Sequence, residues 1–426
     1  MPAEAAGLGE QVRMPDAPDD ARSRAMSPPP VPPLDAEGQR LRRLYPHFGA
    51  MQARAKRRVP RFAYDYAANG VGEGSPNVGH SRHAMDAVRI LPRYGVDVSR
   101  IDTRTELFGQ DYAMPVGVSP MGNPGVVWPG TGDILARAAQ KAGIPYIGST
   151  VANESIEHFG RIAPDVYWFQ LYPAPANDHA LSFDMARRAE AVGARALVIT
   201  LDVPCRPKRV GDVANGLEVP FRWRARTLRD IALSPSWAIE TLRRGRPAFE
   251  TLRAYVPERS SIFDIAAFGQ KELGQAMTWD WIARMRDAWP HALVVKGIMH
   301  PDDAERAVEI GCDGVLVSNH GGRQFDAAPA PIEVLPLIAE RIRGRAKVLY
   351  DGSIRSGLDV LRALACGADF AFAARAFLWS VAAIGEAGGD HATASLREEL
   401  RSNMGQAGLR TIEEAQRAPL WDPRAL

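Results

Sequence analysis

The sequence predicts an α/β protein, a (β/α)8 barrel of the TIM type with an N-terminal helical segment and a long insert after the fourth strand. Three observations predict it. Eight apolar runs of strand length follow one another between residues 114 and 373. Segments of helical period, rich in Ala, Leu and charge, separate most of them, so the strands are parallel and covered by helices. No Gly-x-Gly-x-x-Gly turn follows an early run, as a dinucleotide-binding open sheet would require. Eight units within about 270 residues then favour a closed barrel.

Taken in order, residues 1–37 are rich in Ala, Pro, Asp and Gly and contain no aromatic residue. They read as a disordered or loosely attached tail before a barrel unit spanning 38–426, because too little apolar surface offsets the entropy of ordering. Leu41, Leu44, Tyr45 and Phe48 then recur at helical intervals. A second short helix through Arg61–Tyr66 is expected to end on a glycine cap at Asn69-Gly70. The strand-like runs are Met114–Ser119, Pro145–Ser149, Val166–Leu171, Ala196–Leu201, Leu293–Ile298, Gly314–Val317, Ala346–Tyr350 and Asp369–Ala373. Among the helical segments between them are Asp133–Ala142, Phe183–Val192, Asp302–Ile310 and Leu358–Ala365. The last two meet Gly311 and Gly367 at once, as helix C-termini commonly do.

About ninety residues separate the fourth run from the fifth, where twenty to thirty would suffice for a βα unit. The insert covers about 213–278, and within it the stretch 221–253 interleaves arginines with Trp, Leu and Ile. Such a basic amphipathic stretch with Trp can lie in a membrane interface. The alternatives are a solvated helical excursion or a contact with another subunit.

Bulk composition excludes several classes. A hydrophobic content of 46% supplies a core, and a net charge of +2 gives no global reason to expect nucleic acid. Cys205, Cys312 and Cys366 form no CxxC pair, so neither a disulfide framework nor a structural metal site is expected, and a reducing compartment fits. No signal sequence and no run of about 18 apolar residues is apparent.

Barrel enzymes gather their chemistry at the C-terminal strand ends. Here those ends carry Ser119-Pro120-Met121-Gly122, Ser149-Thr150, Gln170-Leu171-Tyr172, Thr200-Leu201-Asp202, Lys296-Gly297, Ser318-Asn319-His320, Asp351-Gly352-Ser353 and Arg375. A lone His and Arg in a strand-to-helix loop would be unremarkable, and eight polar sets on one rim are not. The stretch Gly314–Gln324 releases a buried strand into a hydroxyl, an amide, an imidazole, two glycines and a guanidinium. That places a base beside an anion-binding group, with glycines letting a ligand come close. After the seventh and eighth runs, Asp351-Gly-Ser-Ile-Arg355 and Ala374-Arg375 fall where barrels often bind a phosphate, and two guanidiniums suit a dianion. With a strand-end lysine, this points to flavin mononucleotide, whose reduced ring a cation beside N1 stabilises.

Ser318-Asn-His-Gly-Gly-Arg-Gln324 resembles the signature of the FMN-dependent α-hydroxy acid dehydrogenase and oxidase family, which includes L-lactate and mandelate dehydrogenases and glycolate and lactate oxidases. Tyr64-Asp-Tyr66, Phe169-Gln-Leu-Tyr172, Thr200-Leu-Asp-Val-Pro204, Val295-Lys-Gly297 and Asp351-Gly-Ser-Ile-Arg355 keep the family's order. The resemblance implies that His320 is the base and Asp202 the carboxylate supporting its imidazolium. It implies that Arg323, Arg209 and Tyr66 hold the substrate carboxylate and that Tyr172 lies near the substrate hydroxyl. Pro120, Met121, Ser149, Gln170, Thr200, Lys296 and Ser318 would meet the flavin ring, and Asp351 the ribityl chain. Gly352, Ser353, Arg355, Ala374 and Arg375 would cradle the phosphate.

Three positions depart from the family pattern. Ala374 replaces a glycine, at a cost of about 1 kcal/mol or more if the site needs positive φ. Val151 stands where glycolate oxidases carry a tryptophan, which argues against glycolate. The loop Pro204-Cys-Arg-Pro-Lys-Arg209 is unusual. The implied activity is oxidation of an L-2-hydroxy acid to the 2-oxo acid. Gly122, where oxygen-using members tend to carry Ala, and the basic insert favour a quinone or cytochrome-type acceptor. An oxidase using O2 and releasing H2O2 is the alternative. A homotetramer, cytoplasmic and peripheral on the inner face of the membrane, follows from the same resemblance.

Overall fold

The computed structural model describes residues 35–205, 207–217, 224–275 and 277–422. Nearly all of the predicted tail, and the start of the basic stretch at 221–223, lie outside the described residues.

Four helices precede the barrel: α1 (Ala36–Leu44), α2 (Phe48–Arg58), α3 (Arg61–Ala68) and α4 (Pro76–Ala87). The Asp35 carboxylate accepts the Gly38 N–H at 2.7 Å and caps α1, satisfying an orphan donor with a charge the helix dipole favours. The end of α3 differs from the expected glycine cap. Asn69 is extended (φ −80°, ψ 152°), and Gly70 is absent from the left-handed residues. A Cβ at Gly70 would stand 2.3 Å from the Gly322 carbonyl oxygen, which accepts the Val71 N–H at 2.9 Å. Gly70 thus serves close approach to the signature loop.

A hairpin absent from the sequence expectation follows, β1 (Thr105–Leu107) paired with β2 (Gln110–Tyr112). Three residues per strand are too few for a periodic signal. It packs on residues at the N-terminal strand ends: Phe108 lies 5.7 Å from the Trp168 ring, and the Trp168 indole donates to Tyr112 Oη at 3.2 Å.

The barrel strands are β3 (Val116–Val118), β4 (Tyr146–Ser149), β5 (Tyr167–Leu171), β6 (Ala196–Thr200), β7 (Ala292–Ile298), β8 (Gly314–Ser318), β9 (Lys347–Asp351) and β10 (Phe370–Ala373). All pair in parallel with their neighbours, and β10 closes onto β3. This is the predicted eight-stranded barrel. Each expected run overlaps one strand, and nearly all the apolar positions in them are buried, as strands covered on both faces demand.

Helices α5 (Thr131–Ala142), α6 (Ile156–Ile162) and α7 (Ala176–Ala191) follow β3, β4 and β5. After β6 the chain makes α8 (Val210–Asn215), α9 (Ala225–Ala232), α10 (Pro235–Arg244), α11 (Glu250–Arg253) and α12 (Ile262–Glu272), returning through α13 (Trp279–Ala288). Then α14 (Pro301–Glu309), α15 (Pro331–Ile342), α16 (Gly357–Ala365) and α17 (Arg375–Ile384) follow the last four strands, with α18 (Gly388–Ala407) and α19 (Ile412–Gln416) at the end.

One reading of the insert is corrected. Trp237, counted in the amphipathic stretch, does not face outward: it is 8% exposed, its indole donates to the Val126 carbonyl at 3.2 Å, and its ring meets Phe62 edge-on at 5.7 Å. Trp237 anchors α10 to the body instead. Leu228, Leu233, Ile239 and Leu242, at 57%, 71%, 63% and 85% exposure, remain on the outer face of α9 and α10.

Candidate active site

A cavity of about 1100 Å³ opens at the C-terminal ends of the strands. At its centre the signature loop leaves β8 through three consecutive residues of positive φ: His320 (56°), Gly321 (67°) and Gly322 (73°). Two glycines accept this turn freely, while the histidine is a strained exception held by its contacts. Its N–H donates to Ser318 Oγ at 3.1 Å, and its Nδ1 lies 2.9 Å from Asp202 Oδ1. Its other nitrogen, Nε2, lies 3.4 Å from Tyr172 Oη. With Nδ1–H given to the carboxylate, Nε2 carries the free lone pair.

The electrostatics favour that state. Burial holds His320 below the ordinary histidine value, although Asp202 works against it. Burial would raise Asp202, but its interactions with His320 and Lys296 win and hold it below the ordinary carboxylate value. Lys296, 3% exposed, lies 3.9 Å from both Asp202 Oδ2 and Asp351 Oδ2 and donates to Ser318 Oγ at 3.2 Å. A polar chain continues around the rim. Ser149 donates to Gln170 Oε1 at 2.5 Å, Gln170 Nε2 donates to Thr200 Oγ1 at 2.9 Å, and Ser119 donates to Asp351 Oδ2 at 2.7 Å.

Two cations line the cavity with His320. Arg323 donates through one nitrogen to the carbonyls of Tyr66 and Asn69 at 2.6 and 2.8 Å, and its guanidinium lies 5.1 Å from the Tyr66 ring centroid. Burial, then the charge of Arg209, hold Arg323 below the usual arginine value. Arg209 lines the same cavity, and its Nε is buried without a hydrogen-bond partner among the described residues. Its unusual loop therefore still delivers it to the site. Tyr66, expected at a substrate carboxylate, donates its hydroxyl to the Gly122 carbonyl at 2.8 Å and also lines the cavity.

A second cationic corner forms after β9 and β10. Arg355 is pushed down to about 10, by burial first and then by Arg82. Burial and the neighbouring charge of Arg355 hold Arg375 well below its usual value. Neither has a carboxylate within ion-pair distance among the described residues. Two half-buried cations without a counter-anion among the described residues call for an anionic ligand. Ala374 adopts φ −105°, so the alanine carries no left-handed strain there.

The model of the FMN-dependent dehydrogenase family matches residues 55–422. The chain belongs to that family. It is similar to (S)-mandelate dehydrogenase of Pseudomonas putida, 36% identical over 83% of this chain and 88% of the relative. It is 35% identical to an L-lactate dehydrogenase of Caulobacter vibrioides, over 87% and 97% of the two chains. A crystal structure described as the monotopic membrane protein (S)-mandelate dehydrogenase superposes with a TM-score of 0.83 at 34% identity, covering 88% and 98%. A mandelate oxidase with (S)-2-phenylpropionate gives 0.75 at 31% identity, with the same coverage.

As an FMN-dependent dehydrogenase, the chain uses FMN, and its residues fit that group. The uncompensated Arg355 and Arg375 match a phosphate, and buried Lys296 matches a ring that gains negative charge on reduction. Reading strand ends missed several residues here. Asp212 faces Arg209 and Arg323, and burial raises its carboxyl against their pull. Phe249, Leu252, Gly269 and Leu273 of the insert line the cavity. Asn77 and Arg82, on α4, buttress two of the rim loops. None lies at a strand end, and single polar residues on a pre-barrel helix carry no sequence signal of their own.

Proposed function

We propose that this FMN-dependent 2-hydroxy acid dehydrogenase oxidises an L-2-hydroxy acid with a bulky apolar side chain to its 2-oxo acid. The observation that carries the reading is that His320, paired with Asp202, lines one cavity together with Arg323 and Arg209. The arginine pair takes the substrate carboxylate, a task for planar forks, with Tyr66 beside it. That anchor presents the substrate's α-carbon and hydroxyl to Nε2 of His320, with Tyr172 Oη beside the hydroxyl. Oxidation releases two electrons and two protons: one proton, from either the α-carbon or the hydroxyl, ends on Nε2, and the other would pass with the two electrons to the bound flavin. Asp202 stabilises the imidazolium so formed, and Lys296 stands ready to offset negative charge on the ring.

FMN, when bound, supplies the two-electron acceptor. Pro120, Met121, Ser149, Gln170, Thr200, Lys296 and Ser318 would hold its ring and Asp351 its ribityl chain. Gly352, Ser353, Arg355, Ala374 and Arg375 would hold its phosphate. Val151, Phe249, Leu252 and Leu273 give the cavity an apolar wall suited to an aryl or branched side chain. Gly122 leaves space there, since a Cβ would stand 3.1 Å from Val151 Cγ2.

The test is anaerobic bleaching of the flavin across L-lactate, (S)-mandelate and glycolate, followed by reoxidation with air and with a soluble quinone. Faster bleaching by mandelate than by glycolate, with quinone outpacing air, is expected. Bleaching by no 2-hydroxy acid would end the proposal, and faster reoxidation by air would make the enzyme an oxidase.

The similarity to a structure described as a monotopic membrane protein supports a peripheral membrane contact through α9 and α10. Their outer leucines and isoleucine are flanked by Arg229 and Arg243, whose side chains are 66% and 74% exposed, a combination suited to an anionic lipid surface. No helix among the described residues is long and apolar enough to cross a membrane. Replacing Ile239 and Leu242 together by Glu is expected to release the protein from phosphatidylserine-containing vesicles in a sedimentation assay while leaving flavin content unchanged. Wild-type protein that stays in the supernatant would remove the proposal.

A further inference from the structure

Helix α4 lies outside the barrel, yet its polar residues reach two loops of the rim. At one end, Asn77 Nδ2 donates to the carbonyls of Asp326 and Ala328, at 3.1 and 2.5 Å. The Asn77 Oδ1 accepts from Asn319 Nδ2 at 2.7 Å, next to His320. A turn further on, Arg82 Nη1 donates to the Ser353 carbonyl at 2.6 Å. Both terminal nitrogens of Arg82 also grip Asp359, at 2.9 and 2.8 Å.

Asp359 decides the meaning of that grip. It is 2% exposed, stands in the first turn of α16, and one of its oxygens also accepts the Arg355 N–H at 2.9 Å. Arg362 Nη1 donates to the other oxygen at 2.9 Å. Arg82 in turn donates through Nε to Asp86 at 2.9 Å. Arg82, Arg362, Asp86 and Asp359 therefore form a closed set of two cations and two anions. Asp359 is left to bind the backbone of Arg355 and not its guanidinium. Ser353, whose carbonyl Arg82 pulls, sits at φ 54°, a left-handed conformation unfavourable for serine.

We propose that Arg82 is a positioning residue for the FMN phosphate. It holds the 353–355 loop in its strained form and occupies the Asp359 carboxylate, so that the Arg355 charge stays available to the phosphate. Without it, Asp359 keeps only Arg362 as a cationic partner, and the under-compensated buried carboxylate beside the anion site both competes for Arg355 and repels the dianion. The effect is local to the phosphate and does not touch the ring.

The experiment follows FMN release from the holoenzyme on dilution, by recovery of flavin fluorescence, in wild type, Arg82→Ala, Arg82→Gln and Arg82→Lys. Release from Arg82→Ala and Arg82→Gln is expected to be about tenfold to a hundredfold faster, as for loss of charge-assisted hydrogen bonds. Arg82→Lys should fall between, keeping the charge and losing the fork. The deflavinated full-length chain is then titrated with riboflavin, which lacks the phosphate, and its affinity is expected to match wild type in every variant. Unchanged FMN release in Arg82→Gln overturns the proposal. So does an equal loss of riboflavin affinity, which would make the role structural. Arg82→Gln and Arg82→Lys keep the test informative if Arg82→Ala does not fold.

Discussion

Replacing His320 by Gln is expected to leave FMN bound and to slow anaerobic flavin reduction by substrate about 10³-fold, the scale of a lost general base. Gln keeps much of the volume and a hydrogen-bonding group near Asp202, so the loop that carries it has no cause to collapse. Stopped-flow absorbance in the oxidised flavin bands measures the effect. Reduction within about tenfold of wild type would remove His320 from the chemistry. The wild-type pH profile carries the same assignment. The competent form is the neutral imidazole, and burial holds its pKa below the ordinary value of 6.5. The kcat/KM for substrate should therefore rise with pH through a value under 6.5 and stay level above it. An acidic limb centred above 6.5 would contradict a base buried in this way.

Replacing Arg323 by Met is expected to weaken substrate binding by about 2–4 kcal/mol, or about 30- to 1000-fold in apparent Kd, because a buried charge pair loses one partner. Two features make the site expensive to disturb. Arg323 is held in place by the carbonyls of Tyr66 and Asn69. Arg209 faces the same cavity, and the two cations repel each other until an anion arrives. Relief of that repulsion is part of what the substrate carboxylate contributes. Arg323→Lys should recover part of the affinity, since it restores charge without the planar fork. An unchanged apparent affinity in Arg323→Met, from bleaching rate against substrate concentration, would end the carboxylate assignment.

The legible parts of the protein were those with a local, repeated pattern. Parallel strands buried on both faces must be apolar throughout, so each barrel strand announced itself as a run. The residues just beyond each run then had to occupy the rim, because chain direction is common to all eight strands. His320, Lys296 and Asp202 were found on that logic and meet within hydrogen-bond or ion-pair reach.

What failed was anything whose meaning depends on a neighbour far along the chain. Gly70 looked like a helix cap and is shaped by the Gly322 carbonyl, some 250 residues away. Trp237 fitted an amphipathic face and is buried against Phe62. The hairpin of β1 and β2 is too short for any periodicity to register.

The sequence by itself determined the barrel, the rim and the polar residue types gathered on it, because these follow from period, burial and chain direction. Only the tertiary structure decided which charges are paired. Asp359 is paired with Arg82 and Arg362, while the hydrogen-bond partners of Arg355 and Arg375 among the described residues are backbone carbonyls. Coulomb energy depends on separation in space and on burial, and neither is written along a single chain.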